Sequence, residues 1–338
     1  MRLVVVAVTL LAAAARADAQ LDTAKATFKP LPAQYDSKDN PITKEKVELG
    51  KLLYFDKRLS KNHDVACASC HDLAKYGVDG EQFSTGHKKQ KGGRNAPTVF
   101  NAGNHIAQFW DGRAATLEDQ AKGPVLNPVE MALPDAAAVE KTLKSIPGYA
   151  PLFAKAFGGE KDAAVTFDNM AKAIGAFERT LTTPGKFDKY LGGDEKALSD
   201  AEKKGMQAFI NAGCVSCHMG EGLGGAMYQK LGLVKPVPDL KDTGRFEVTK
   251  KDADKFFFRV PSLRNVAKTA PYLHDGTVKT LPEAVTFMAK HQLGKELKKE
   301  EVDSIVTFLN ALTGELPKGL EAPKPLASGK DTPKPDPT

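Results

Sequence analysis

Apolar residues recur along this chain at the three- and four-residue spacing of helices buried on one face, and almost nowhere with the alternation of strands. One stripe, within Glu45–Asp56, is Val47, Leu49, Leu52 and Leu53. Another runs through Phe167, Met170, Ile174, Phe177 and Leu181, and a late one through Val302, Ile305, Val306 and Leu309. Two helix starts carry capping boxes, in which a hydroxyl and a glutamate three residues on each satisfy a free backbone N–H. Ser199-Asp-Ala-Glu202 opens the helix that runs toward Cys214; Thr280-Leu-Pro-Glu283 opens one bearing Val285 and Met288. The pattern predicts a mainly α protein with few short strands. Beyond Glu321 the chain is rich in proline and lysine, which predicts a disordered tail over 321–338.

At the other end, Arg2 precedes the apolar run Leu3–Ala15, which is short for a membrane span. Small-x-small sites follow at Ala15-Arg16-Ala17 and Ala17-Asp18-Ala19, so 1–19 reads as an export leader cleaved after Ala17 or Ala19. An uncleaved anchor is the alternative. No second apolar run nears 20 residues, so the mature protein is expected to be exported, without a membrane span. The 338 residues, 41% hydrophobic and 27% charged, suggest about two domains and exclude disordered or collagen-like chains. A net charge of +6 suits docking to an acidic partner, but it lacks the concentration that nucleic-acid binding needs.

The four cysteines form two identical patterns, Cys67-Ala-Ser-Cys70-His71 and Cys214-Val-Ser-Cys217-His218. C-x-x-C-H is the attachment motif of c-type haem: two thiols bond the vinyl groups and the next residue sets an imidazole under the iron. A zinc ribbon would place its two knuckles some 15–20 residues apart, whereas these lie 147 apart. A thioredoxin-like pair needs a βαβ setting that neither region shows.

A repeat extends beyond the cysteines. Pro97-Thr98-Val99 and Asn101 recur 164 residues later as Pro261-Ser262-Leu263 and Asn265. Asp111-Gly112 and Thr116-Leu117 recur at the same offset as Asp275-Gly276 and Thr280-Leu281. Two cytochrome c-like domains with one covalent haem each are therefore expected, over 20–182 and 183–320.

Function turns on what faces each iron from the far side. A relay needs two strong axial ligands; a catalyst needs one releasable position and a nearby acid–base group. Around the second haem the candidates are Met219, Met227, Met288 and His291. Met219 adjoins His218 and cannot reach the opposite face. Met288 sits on an amphipathic helix, where methionine also serves as core filler. Around the first haem, His63, His87 and His105 are nearest in sequence. His87 lies in a glycine- and lysine-rich loop able to carry it onto the iron, or to leave it solvated.

Together with Gly86-His87, Asn95-Ala-Pro-Thr98, Gln108-Phe-Trp110-Asp-Gly112-Arg113, Asn127-Pro-Val-Glu130-Met131 and Thr269-Ala-Pro-Tyr272, the two haem motifs resemble those of the bacterial di-haem cytochrome c peroxidases. The resemblance spans about Lys46 to Leu312, in the family's order and spacing. It implies reduction of hydrogen peroxide to water in the periplasm. Electrons would come from a small carrier, a monohaem cytochrome c or a cupredoxin.

Carried over residue by residue, the haem on Cys67, Cys70 and His71 resembles the low-potential peroxidatic centre, with His87 as the distal ligand released on activation. The haem on Cys214, Cys217 and His218 resembles the high-potential centre that receives electrons, with Met288 as sixth ligand. Trp110 matches the ring between the haems, Glu130 the acid–base residue and Gln120 its pocket neighbour. Asn95, Thr269 and Pro271 match the oxygen ligands of an inter-domain calcium ion. The resemblance also implies a homodimer. Two alternatives remain at this point: a di-haem electron carrier without catalysis, and a related haem enzyme that oxidises a protein side chain, in which tyrosine replaces the methionine ligand.

Overall fold

Two crossed helix pairs organise the chain, one in each half. Lys44–Phe55 packs on Phe167–Glu178, and Asp200–Ala212 packs on Lys299–Ala311. A glycine sits at each crossing. A Cβ on Gly50 would stand 2.0 Å from the Ala173 carbonyl oxygen, and one on Gly205 would stand 2.1 Å from that of Ser304. Any other residue would push the helices apart.

The computed structural model describes residues 19–338. Over these the fold is mainly helical, and the described strands, Tyr228–Lys230 and Phe257–Arg259, form one antiparallel pair. No described helix is long and apolar enough to cross a membrane. The expected leader lies outside the described residues, apart from Ala19.

The apolar stripes face inward. Leu49, Leu53, Met170 and Ile174 are buried in the core of the first half, and Ile305 and Leu309 in that of the second; Val302 is also buried. Leu281–Leu293 and Asp200–Ala212 both open on capping boxes formed by the expected residues.

The 164-residue repeat is a structural duplication. Thr98 Oγ1 donates to the Tyr76 carbonyl at 2.6 Å, and its counterpart Ser262 donates to that of Gly222 at 2.7 Å. Asn101 and Asn265 both adopt left-handed backbone, at φ 60° and 62°. Their side-chain amides converge on a single hydroxyl, Thr183 Oγ1, at 2.9 and 2.8 Å. Asn95 N–H donates to the His274 carbonyl at 2.7 Å, and its counterpart Arg259 N–H donates to that of Trp110, the counterpart of His274, at 2.8 Å. The halves therefore grip each other through matched bonds.

The structure redraws the expected domain boundaries at both ends. Residues 20–28, expected in the first domain, belong to the core of the second: Leu21, Ala24 and Phe28 are buried there, with Phe28 edge-on to Phe187 at 5.5 Å. The tail is also not free. It lacks helix and strand, as its prolines dictate, but Leu326 packs against the first core and Arg58 donates to its carbonyl at 2.9 Å. Further on, Asp336 N–H donates to the Lys61 carbonyl and its carboxylate lies 3.3 Å from Lys61 Nζ. Composition hid this because one leucine and a few backbone bonds are enough to anchor an extended strap.

Deleting residues 322–338 should remove about 1–2 kcal/mol of packing, lowering the melting temperature of the holoprotein by roughly 2–6 °C. Differential scanning calorimetry on full-length and truncated protein tests this; identical midpoints would show that the strap contributes no stability.

Candidate functional site

Each C-x-x-C-H motif forms a tight turn, Cys67–Cys70 as α-helix and Cys214–Ser216 as 3-10 helix, with the histidine directly after its second cysteine. All four thiols are free. Burial pushes the Cys67 thiol up to about 12 and that of Cys214 up to about 11. Burial thus favours the neutral thiol at both positions.

The imidazoles are oriented alike. His71 Nδ1 lies 3.2 Å from the Gly77 carbonyl, and His218 Nδ1 lies 2.8 Å from that of Leu223. A carbonyl can only accept, so each Nδ1 carries the proton and each Nε2 keeps its lone pair for a metal. Burial lowers the pKa of both rings, which favours the neutral form that binds iron. Thiols beside an oriented neutral imidazole fit covalent haem at both positions.

Cys214, Cys217 and His218 open onto a largely apolar cavity whose walls include Leu263, Val285 and Met288. His291, the competing ligand, faces elsewhere: its Nδ1 is bonded to the Lys235 carbonyl at 2.9 Å and its ring rests on Phe287. Met219 is exposed, and Met227 is not among the residues lining the cavity. His105, grouped by sequence with the first haem, lines this second cavity instead. Its segment crosses over to the other half, where the adjacent Ile106 N–H donates to Gly225 at 2.9 Å.

Around the first motif the structure joins two loops. His87 is 4% exposed, so it is not a solvated surface histidine. Its N–H donates to the Glu130 carbonyl at 2.8 Å, and Gln90 Nε2 donates to that of Pro128 at 3.2 Å. The loops meet so closely that a Cβ on Gly86 would stand 2.1 Å from the Val129 carbonyl oxygen. Lys88 and Lys89, just past His87, both have positive φ, 56° and 59°. Two consecutive non-glycine residues in this region cost backbone energy.

The Glu130 carboxyl accepts from Asn127 Nδ2 at 2.9 Å. Burial raises its pKa above the usual carboxylate value, while the nearby Arg113 guanidinium and Asn127 oppose the shift. Its charge is felt at both Cys67 and Cys70, which places it beside the first haem position. Gln120 lies on the Leu117–Leu126 helix just before this loop, and its side chain has no hydrogen-bond partner among the described residues. His63 sits in a turn, at φ 52°.

Trp110 stands where the halves meet, donating from Nε1 to the Asn95 carbonyl at 2.9 Å and lying edge-on to His274 at 6.4 Å. Asn95, Thr269 and Pro271 line the same cavity. Asn95 Nδ2 donates to the Glu81 carbonyl at 2.9 Å, which leaves Oδ1 as its free end. The described residues hold no cluster of three His, Cys, Asp or Glu suited to a metal ion. A cation here would rest on neutral oxygens, which a hard ion accepts.

Sequence reasoning missed two supporting residues. Asn127 orients Glu130 from three residues away. Arg94 bridges Asp111 in its own half and Asp242 in the other, at 2.5 and 2.7 Å. Asn127 was detectable in its motif; nothing in the local pattern marks Arg94.

Comparison with known proteins agrees with this geometry. Residues 44–196 match the family model for di-haem cytochrome c peroxidase, and 202–313 match that for cytochrome c. The chain is 50% identical to the cytochrome c551 peroxidase of Pseudomonas aeruginosa, over 95% of this chain and 94% of that one. It is 47% identical to the cytochrome c551 peroxidase of Nitrosomonas europaea over 88% of each. Among solved structures, a MauG-like protein associated with microbial copper homeostasis superposes with a TM-score of 0.73 at 30% identity, covering 91% of this chain and 97% of that one. Half the residues shared over nearly the full length, with both haem motifs intact, make this chain a di-haem enzyme of the cytochrome c peroxidase family.

Proposed function

We propose that the chain reduces hydrogen peroxide to water at its N-terminal haem, using two electrons and two protons per peroxide. The electrons arrive singly from a small periplasmic redox protein, a monohaem cytochrome c or a cupredoxin, and enter at the C-terminal haem. The observation that carries this reading is the joined pair of loops beside Cys67 and Cys70, which brings the half-buried Glu130 and the buried His87 together. A pure electron carrier has no use for such a pair.

The haems supply the redox chemistry; the side chains decide where it happens. Cys67, Cys70 and His71 hold the peroxidatic haem, and Cys214, Cys217, His218 and Met288 the one that receives electrons. His87 caps the peroxidatic position at rest and withdraws on activation. The strained backbone at Lys88 and Lys89 favours that withdrawal, because a displaced loop releases the strain. Glu130, held by Asn127, takes a proton from the incoming peroxide and returns it to the departing oxygen, with Gln120 beside it. Trp110 spans the gap between the halves, and a calcium ion on Asn95, Thr269 and Pro271 stiffens the same seam. In the reading as a side-chain oxidase, tyrosine would stand where this chain has Met288. The protein acts in the periplasm as a homodimer.

A steady-state assay with peroxide and a reduced small cytochrome tests the activity itself; an absence of turnover would leave only the carrier reading. His87→Ala should be active when added fully oxidised, and a variant that still needs pre-reduction would refute the gating role. Glu130→Gln should lose roughly 100-fold or more in kcat while both haem spectra stay intact. Because Glu130 works as a base when ionised and burial raises its pKa, wild-type rates should climb as pH rises through a value above the ordinary carboxylate range. That acid limb should vanish in Glu130→Gln, and a pH–rate profile measures it.

A further inference from the structure

The duplication pairs two inter-domain sites of opposite chemistry. At the 164-residue offset, Asn95 corresponds to Arg259 and His105 to Thr269. The pair Asn95 and Thr269, one residue from each half, offers oxygens. Its counterpart, Arg259 and His105, again one from each half, offers nitrogens.

Three of those nitrogens, Arg259 Nη1 and both of His105, have no hydrogen-bond partner among the described residues. Arg259 is 2% exposed, and the one titratable group that raises its pKa is Tyr228, with no carboxylate contributing. Its Nε reaches the Phe109 carbonyl at 3.4 Å, but Nη1 is buried with no hydrogen-bond partner among the described residues. Both ring nitrogens of His105 are likewise buried and unpartnered. Both side chains line the same cavity. Gly225 closes the space behind His105: a Cβ there would stand 2.6 Å from Cδ2. An unpaired buried guanidinium is among the most unfavourable groups a fold can contain, and a complementary anion removes the penalty.

The location names the anion. Arg259 and His105 line the cavity onto which Cys214, Cys217 and His218 open. Haem carries two carboxylate arms on the edge opposite one pair of its ring substituents, and a guanidinium fork matches a carboxylate in charge and shape. We propose that Arg259 and His105 together receive one carboxylate of the C-terminal haem. The C-terminal half tethers that haem by thioethers, and the N-terminal half then grips it through His105. Arg259 N–H is bonded to the Trp110 carbonyl, so the same residue ties the carboxylate to the backbone of the ring between the halves. Arg259 is a positioning residue: a paired cation beside the haem favours the reduced iron and holds its potential up.

The proposal rests on the presence of two haems and not on peroxide turnover, so its readouts are equilibrium ones. Redox titration and resonance Raman spectra are recorded on holoprotein carrying Arg259→Met, Arg259→Lys or His105→Phe. Arg259→Met should lower the midpoint potential of the C-terminal haem and shift the carboxylate bending band of that haem alone. Arg259→Lys should recover most of the potential, and His105→Phe should shift the band less than Arg259→Met does. Wild-type potentials and bands in Arg259→Met would overturn the assignment. If Arg259→Met fails to retain haem, unchanged bands in both other variants would do the same. A wild-type potential that varies with added chloride or phosphate, while the carboxylate bands ignore every substitution, would assign the site to a free anion and overturn it as well.

Discussion

Two hydrogen bonds, from His71 Nδ1 to the Gly77 carbonyl and from His218 Nδ1 to that of Leu223, set the orientation on which the rest of the structure depends. Each locks one tautomer, turns Nε2 toward its haem position and fixes the loop that follows the motif. Those loops are pinned in turn by the hydroxyls of Thr98 and Ser262, each at the head of a repeated segment. Both segments pass through a left-handed asparagine to the shared Thr183 hydroxyl. The orientation of an imidazole is thus propagated, in four short steps, to the seam where the two halves meet. A covalent and hydrogen-bonded route therefore runs from each haem position to the interface.

The scaffold is duplicated, but its fittings are not. In the first half a loop brings His87 against the backbone of Glu130, and Asn127 keeps the carboxyl aimed. In the second half, Met288 on the Leu281–Leu293 helix lines the cavity and no carboxylate stands opposite. The same division runs through the seam. Corresponding positions carry Asn95 and Arg259, Thr269 and His105, Trp110 and His274. Divergence of paired sites within one frame gives the two halves different chemistry on the same scaffold.

How much of this was legible in the sequence depends on the range of the interaction. Short-range signals read well. The capping boxes at Ser199 and Thr280 form as expected, and the stripes Leu49–Leu53 and Ile305–Leu309 are buried. Partners distant along the chain read badly. Adjacency along the chain put residues 20–28 with the first domain, whereas Phe28 packs in the second core. Proximity in sequence placed His105 with the first haem, although its segment crosses to the second. Arg259 gave no signal at all, because a buried guanidinium looks like a surface arginine until its surroundings are known. The tail misled through composition, since proline and lysine report the absence of helix but say nothing about docking.

The exchanged ends add to what holds the two halves together. The first residues described complete the C-terminal core through Leu21, Ala24 and Phe28, and the last ones strap the N-terminal half through Leu326 and Asp336. Separating the halves would strip both cores at once, so the free energy resisting separation includes burial inside each domain as well as contacts between them. The strap has a further consequence. It ends on Lys61, whose N–H donates to the Met131 carbonyl at 2.8 Å, one residue from Glu130. The end of the chain therefore braces the loop that carries Glu130. The strap thus gives the loop whose Glu130 carbonyl accepts from His87 one fixed side.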